Sequence, residues 1–491
     1  MAGDSLKTKT VKGIGWSALE NVSSYLVTFV VGIILARILT PDDYGLIGLT
    51  GVLTAVCGCF VNAGFDKALI RKKDATDIDY STVFIMNVCI SIVLYVFIYF
   101  FAPLIADFFD RQELISITRV ISLGMILGAL SIVPRVRLTK RLDFKSQTKI
   151  TIIVSVIRGI VGISSALLGW GVWALVIQSL LGSSLSSVFL LWIDRWIPSL
   201  HFSLKSFKEL FGFGSKLLAS ALLDTMWTQC YQVVIGKCYA PATLGQYARA
   251  NSFSDIFSSN LTSIVQRVSY PALSEIQEDI LRLREGYRRI IKSTMLFSFS
   301  CMLMLAAIAR PMIMVLVGEK WLQAANFLQI ICFSAMLYPL HAINLNMLQV
   351  LGRSDLFLKL EIVKKVIAII PIFVGIFIGI YWMLISGVFI GLIGYYLNAH
   401  FSGKLLKYSM GQQIHDILPS FCVSTMGAML TYLISVGAFF FFSDLSWIVN
   451  FVVLLLQLMI GFAVIVISCE LIHISEYLAI KEMVSQFVMK S

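Results

Sequence analysis

The chain has 491 residues, 58% of them hydrophobic and 14% charged, and its 39 lysines and arginines against 28 aspartates and glutamates give a net charge of +11. Mean hydropathy is +0.86. This composition excludes a soluble globular protein, which would be left coated in apolar surface, and it leaves room for a dozen or more spans of about 20 residues but for no large soluble domain.

Lys7, Lys9 and Lys12 precede an apolar stretch that runs unbroken to about Leu39. The stretch is too long for a signal-peptide core, carries Glu20 and lacks a small-residue cleavage pattern, so it reads as a first transmembrane helix. Apolar windows between charged or Pro/Gly-rich breaks give fourteen predicted spans, near 13–38, 44–64, 82–104, 114–133, 150–168, 171–192, 209–235, 246–266, 291–309, 324–350, 360–379, 382–400, 418–440 and 447–468. The eighth is polar on nearly every side through Ser252, Ser254, Asp255, Ser258, Ser259, Asn260 and Thr262, which only a protein-lined or watery position tolerates. The nine cysteines lie mostly inside apolar runs and the five histidines have no zinc spacing, so no disulfide framework, metal site or cofactor is expected.

Basic residues alternate sharply across these spans. With the amino terminus inside, thirty lysines and arginines fall on inner segments, six on outer ones (Arg37, Arg111, Lys237, Arg249, Arg310, Lys320) and three within spans (Arg119, Arg158, Lys216). That asymmetry places both termini in the cytoplasm and keeps the span count even. The positive charge is then a solvated face against anionic membrane lipids, and nucleic acid is not needed as a partner.

The sequence resembles itself at an offset of about 200 residues. Gly13-x-Gly15 is matched by Gly212-x-Gly214; Arg37, Pro41 and Gly45 by Lys237, Pro241 and Gly245; and Gly169-Trp170-Gly171-Val172-Trp173 has a fainter echo in Gly379-Ile380-Tyr381-Trp382. The expected fold is therefore an all-α polytopic membrane protein of 14 transmembrane helices. Two six-helix lobes, 1–200 and 201–410, are related by a pseudo-two-fold axis along the membrane normal, and 411–491 adds two helices and a cytoplasmic tail.

Leu39-Thr40-Pro41-Asp42-Asp43-Tyr44-Gly45, Trp196-x-Pro198 with Phe202-Ser203, Leu244-Gly245-x-Tyr247-x-Arg249-Ala250, Tyr270-Pro271-Ala272-Leu273-Ser274 and Gly318-x-Lys320-Trp321 follow one another in an order and spacing that is familiar. Over residues 10 to 410 the chain resembles the polysaccharide-transporter (Wzx-like) branch of the multidrug/oligosaccharidyl-lipid/polysaccharide exporter superfamily. The resemblance implies a two-lobed exporter in the bacterial inner membrane. It would pass undecaprenyl-diphosphate-linked oligosaccharide from the cytoplasmic to the periplasmic leaflet by alternating access, for O-antigen, capsule or exopolysaccharide synthesis. Implied partners are that lipid-linked oligosaccharide, membrane lipids, a polysaccharide polymerase and glycosyltransferases, and a coupling ion, H+ or Na+. Lipid II flippases of the superfamily carry a basic cluster in the first helix, where this chain has Glu20 and Asn21, which argues against a peptidoglycan precursor as cargo.

Ionisable groups within spans cost about 2.5 to 3.5 kcal/mol on insertion scales, so each invites a functional reading. Gly13, Ser17, Glu20/Asn21, Ser24 and Thr28 form one polar stripe on the first span; Lys216, Ser220, Asp224, Thr228 and Tyr231 form another on the seventh. Both are expected to line a central cleft, although small polar residues also serve as interhelical glue. Arg158, Lys216, Arg249 and Arg267 are candidates for attracting phosphate, and Glu20, Asn21, Asp224 and Asp255 for sugar hydroxyls or a coupling cation. Arg119 can snorkel to the outer interface and is assigned no role. A cation-coupled small-molecule or drug exporter of the same superfamily is the competing reading, because fold does not fix cargo. A membrane glycosyltransferase, suggested by Asp77-x-Asp79, has no nucleotide-binding domain around that motif, so the chain is read as a transporter and not an enzyme.

Overall fold

The computed structural model describes residues 6–199, 201–441 and 447–488, which are helical almost throughout, with no strand among them. The helices are α1 (Leu6–Ile38), α2 (Pro41–Asn62), α3 (Phe65–Arg71), α4 (Asp77–Phe108), α5 (Glu113–Ile121), α6 (Leu123–Lys140), α7 (Phe144–Leu167), α8 (Val172–Asp194), α9 (Leu204–Cys238) and α10 (Pro241–Glu275). They continue as α11 (Ile280–Leu316), α12 (Leu322–Ala335), α13 (Tyr338–Val350), α14 (Ser354–Ile367), α15 (Ile370–Phe377), α16 (Ile380–Leu406), α17 (Met410–Phe441), α18 (Trp447–Leu471) and α19 (Ser475–Val488). Each of the fourteen apolar windows falls on helix. Eleven of the helical segments are long and apolar enough to cross a membrane, and this is a multi-pass membrane protein. Among the windows, α9, α10 and the α14–α15 pair fall outside those eleven. Lys216 and Asp224 interrupt α9, serines and Asp255 interrupt α10, and α14 carries Lys359, Glu361, Lys364 and Lys365 before a break at Ala368.

Local chemistry sets the helix ends. Thr40 caps α2 in a reciprocal box with Asp43, with Pro41 in the first turn, and Thr76 and Asp79 repeat the device on α4. The fourth and tenth windows are each broken in the middle. Ser122 separates α5 from α6 and turns its hydroxyl onto the Thr118 carbonyl at 2.6 Å; Pro339, in the first turn of α13, separates that helix from α12.

The chain divides into two compact units, residues 1–245 and 246–491. In the first, α1 lies along α7, α7 along α8, and α6 between α8 and α4. Helix α9, assigned to the carboxy-terminal lobe by the repeat, packs against α2, α3 and α4 in this first unit. The contact is tight because Gly64 and Gly214 bring backbones together: a Cβ on Gly214 would meet the Ala63 carbonyl oxygen at 2.5 Å. At one end of the unit, charges are paired. Asp194, its side chain fully buried, accepts from Arg137 Nε at 2.7 Å and Arg141 Nη1 at 2.9 Å. Lys72 reaches Asp79 at 3.1 Å and Glu209 on α9 at 3.0 Å. Burial opposes the charge on Lys72, but the two carboxylates more than offset it and hold the ammonium above its usual pKa.

In the second unit α11 is the central element, with α12, α17 and α18 packed against it. Its Tyr287, fully buried, donates to Asn344 Oδ1 at 2.6 Å, and Ser402 donates to the same oxygen at 2.7 Å. Arg288 forms a fork on Asp416, with Nη2 to Oδ1 at 2.6 Å, and Tyr408 donates to Oδ2 at 2.6 Å. Burial and then the hydrogen bond to that carboxylate push the Tyr408 phenol well above its ordinary value, so it remains a donor.

Candidate functional site in the first unit

Helix α7 is 24 residues long and Arg158 is its fifteenth, so about 13 Å of helix separates the guanidinium's backbone from the nearer end. An arginine at that depth needs polar company. It has it: Nη2 donates to Thr28 on α1 at 3.3 Å, and the side chain lies over Gly182 of α8, where an added Cβ would be 3.2 Å from Arg158 Cδ. About two turns away, Thr151 of α7 donates to Glu20 Oε1 on α1 at 2.7 Å.

Glu20 and Arg158 line one cavity of about 370 Å³ walled by α1, α6, α7 and α8. The rest of its lining is largely hydroxyl and positive charge: Ser24, Ser131, Ser155, Ser179, Ser183 and Ser186, with Arg135 from α6. Gly128, Ser131 and Arg135 also line a second cavity of about 400 Å³ between α6 and the α2–α3 segment, which holds Asn62 and Asp66. Ser131 and Arg135 of α6 therefore reach both cavities. Two cations, one carboxylate and a run of serines offer donors for phosphate oxygens and both donors and acceptors for sugar hydroxyls. No group of three or more His, Cys, Asp or Glu that could hold a metal ion occurs among the described residues.

The other candidates lie elsewhere. Asn21 is on the exposed side of α1, and Lys216 and Asp224 are on the exposed side of α9; none of the three lines this cavity. Arg249, Asp255 and Arg267 belong to the second unit. The Arg249 guanidinium sits 5.3 Å from the Trp321 ring centroid, Asp255 accepts from Asn251 and Ser259 at 3.0 Å each, and Arg267 is exposed. Arg119 is engaged at its own helix end, its Nε donating to the Tyr99 carbonyl at 3.1 Å. Arg135, Thr151, Ser155, Ser179 and Ser183 are additions. Arg135 lies beyond the apolar window that ends at 133, while the helix itself continues through Pro134 to Lys140. The spacing of Gly128, Ser131 and Arg135 at i, i+3 and i+7 carried the signal.

Residues 34–326 match the family model described as polysaccharide biosynthesis protein, which is more than half of the chain. The chain belongs to that family. Among curated proteins it is similar to the teichuronic acid biosynthesis protein TuaB of Bacillus subtilis (strain 168), 26% identical over 72% of this chain and 73% of TuaB. It is also similar to the lipopolysaccharide biosynthesis protein WzxC of Escherichia coli (strain K12), 25% identical over 76% of each chain. Among solved structures, the lipid II flippase MurJ in its inward closed conformation superposes with a TM-score of 0.73 at 17% identity, over 94% of this chain and 99% of MurJ. The chain thus shares the fold of MurJ and, with a TM-score of 0.60 at 17% identity over 79% of this chain and 96% of the other, that of a multidrug resistance MATE family transporter in an inward-facing conformation.

Proposed function

We propose that the protein is a flippase that carries undecaprenyl-diphosphate-linked oligosaccharide from the cytoplasmic to the periplasmic leaflet of a bacterial inner membrane, by alternating access, for the assembly of a surface polysaccharide. It is a transporter and not an enzyme. Its partners are the lipid-linked sugar, the surrounding lipids and, in the same process, a polymerase and glycosyltransferases, with H+ or Na+ as the coupling ion. The observation that carries this reading is the cavity in which Arg135, Arg158 and Glu20 meet a set of serines between helices long and apolar enough to cross a membrane, in a chain whose family is described as polysaccharide biosynthesis protein. An anionic, sugar-rich head group needs its hydration replaced by such donors and acceptors, while its polyprenyl tail stays in lipid. Asn21, Lys216, Asp224, Arg249, Asp255 and Arg267 are assigned to the route that the head group follows. The alternation of basic residues supports cytoplasmic termini.

The test is deletion of the gene, with lipid-linked oligosaccharides extracted and sorted by leaflet. The expected result is accumulation of carrier-linked repeat units facing the cytoplasm, reversed by the wild-type chain and by neither Arg158→Ala nor Lys216→Ala, although both variants reach the membrane. Normal export in the deletion strain, or full rescue by both variants, would overturn the assignment.

A further inference from the structure

The second unit holds a concave, basic site with no role in the reading above. A cavity of about 580 Å³ lies where α16 ends and α17 begins, lined by Tyr396, His400 and Lys404 of the first, by Lys407 and Ser409 of the turn between them and by Gln412 of the second. Neither Lys404 nor Lys407 has a carboxylate partner among the described residues, whereas the nearby Asp416 is taken up by Arg288 and Tyr408. Two ammonium groups thus face one pocket without a counter-ion. The turn that presents them is fixed: Lys407 is left-handed (φ 53°), the Tyr408 amide donates back to Gly403 at 3.0 Å, and a Cβ on Gly403 would meet the Tyr408 carbonyl oxygen at 2.5 Å.

What lies above the pocket identifies its occupant. Phe389, Leu392, Ile393 and Tyr396 are 61, 45, 43 and 52% exposed and share one face of α16, and His400, Lys404 and Lys407 continue that face at spacings of three and four. On α17, Ile414 and Leu418 are exposed in the same way. At 1.5 Å per residue, Lys404 lies about 33 Å along α16 from Trp382, close to the thickness of a bilayer's hydrocarbon core. An apolar, outward-facing stripe therefore ends in an aromatic residue and then in two unpaired lysines at interface depth, on the side that the basic-residue pattern gives to the cytoplasm.

We infer that this pocket binds the phosphate of an anionic membrane phospholipid, with Lys404 and Lys407 on the phosphate oxygens, His400 and Ser409 beside them, and the acyl chains along the exposed faces of α16 and α17. A phosphate supplies the negative charge that the lysines lack, and a lipid supplies the apolar tail that the stripe accommodates. A free anion would satisfy the lysines and leave the stripe unused.

The experiment is native mass spectrometry of the full-length protein purified with phosphatidylglycerol, comparing wild type, K404Q/K407Q and K205Q/K208Q, the last removing two exposed lysines elsewhere with the same change in net charge. The expected result is retention of phosphatidylglycerol by wild type and K205Q/K208Q. In K404Q/K407Q the retention falls roughly thirtyfold, about fivefold for each lysine, while phosphatidylcholine retention is the same in all three. Equal phosphatidylglycerol retention by the three proteins would overturn the inference. So would displacement of the lipid by millimolar inorganic diphosphate, which would make the pocket a free-anion site, or selective retention of undecaprenyl diphosphate at these lysines with phosphatidylglycerol excluded, which would give it to the carrier.

Discussion

Gly45 and Gly245 lie against the first residue of each other's helix. A Cβ on Gly45 would stand 1.9 Å from the carbonyl oxygen of Pro241, and a Cβ on Gly245 would stand 1.9 Å from that of Pro41. These are the residues that the sequence pairs at an offset of 200, and the contact between them is reciprocal. Neither position can take a methyl group without separating the helix starts. Gly45→Ala and Gly245→Ala are each expected to lower the protein's stability by about 1 to 3 kcal/mol, the usual cost of forcing extra volume into a packed contact. Thermal unfolding in detergent is the check; a transition unchanged in both variants would show that the helix starts are free to part.

Glu20 offers a cleaner separation of charge from structure. A glutamine there still accepts from Thr151, so Glu20→Gln is expected to leave stability within about 0.5 kcal/mol of wild type, as for a substitution that keeps its hydrogen bond. Export should fall at least tenfold if the carboxylate handles cargo or coupling ion. Surface polysaccharide measured against membrane-inserted protein decides this, and undiminished export by Glu20→Gln would assign the residue to packing alone.

Asp194 is held by two arginines and sees no solvent. Removing the carboxylate leaves Arg137, only 13% exposed, without its main counter-charge. Breaking a buried pair from one side typically costs about 3 to 5 kcal/mol, so Asp194→Ala should be poorly expressed and unfold early. The double variant Arg137→Met/Asp194→Leu should recover a large part of the loss. If it is no better than the single variant, the pair does not act as a unit.

Tyr287→Phe is expected to cost far less, about 1 kcal/mol, because Ser402 still donates to Asn344 Oδ1 after the phenol is gone. The same unfolding assay applies, and a loss above about 3 kcal/mol would mean that the phenol organises more of α11 than its hydrogen bonds indicate.

Hydropathy made the helices legible, because a bilayer leaves a spanning segment no other way to satisfy its backbone. Each apolar window lies on helix, and the stripe holding Glu20 and the depth of Arg158 could be read from spacing alone. Three things could not. Arg135 was hidden because an apolar window stops at the first charges, whereas a helix continues for as long as its backbone stays paired. The packing of α9 on α2 and α3 depends on Gly64 and Gly214 allowing two backbones to meet, and a glycine's lack of a side chain carries no hydropathy signal. The short amphipathic α19, anchored by Lys292 to Glu476 at 2.6 Å, is too brief and too charged to register as a span.

The pairing at Asp194 also constrains how the chain is made. Its partners Arg137 and Arg141 precede it by 57 and 53 residues. At a ribosome's pace of roughly 5 to 20 residues per second, both guanidinium groups wait about 3 to 11 seconds for their carboxylate. During that interval α7 and α8 must be threaded while the far end of α6 is held only by earlier residues, Arg137 by Asp77 at 3.3 Å and Lys140 by the Leu69 carbonyl at 3.3 Å. Arg141, whose carboxylate partner among the described residues is Asp194, is therefore neutralised only once α8 is complete, so the last residue of that helix closes the clamp begun on α6.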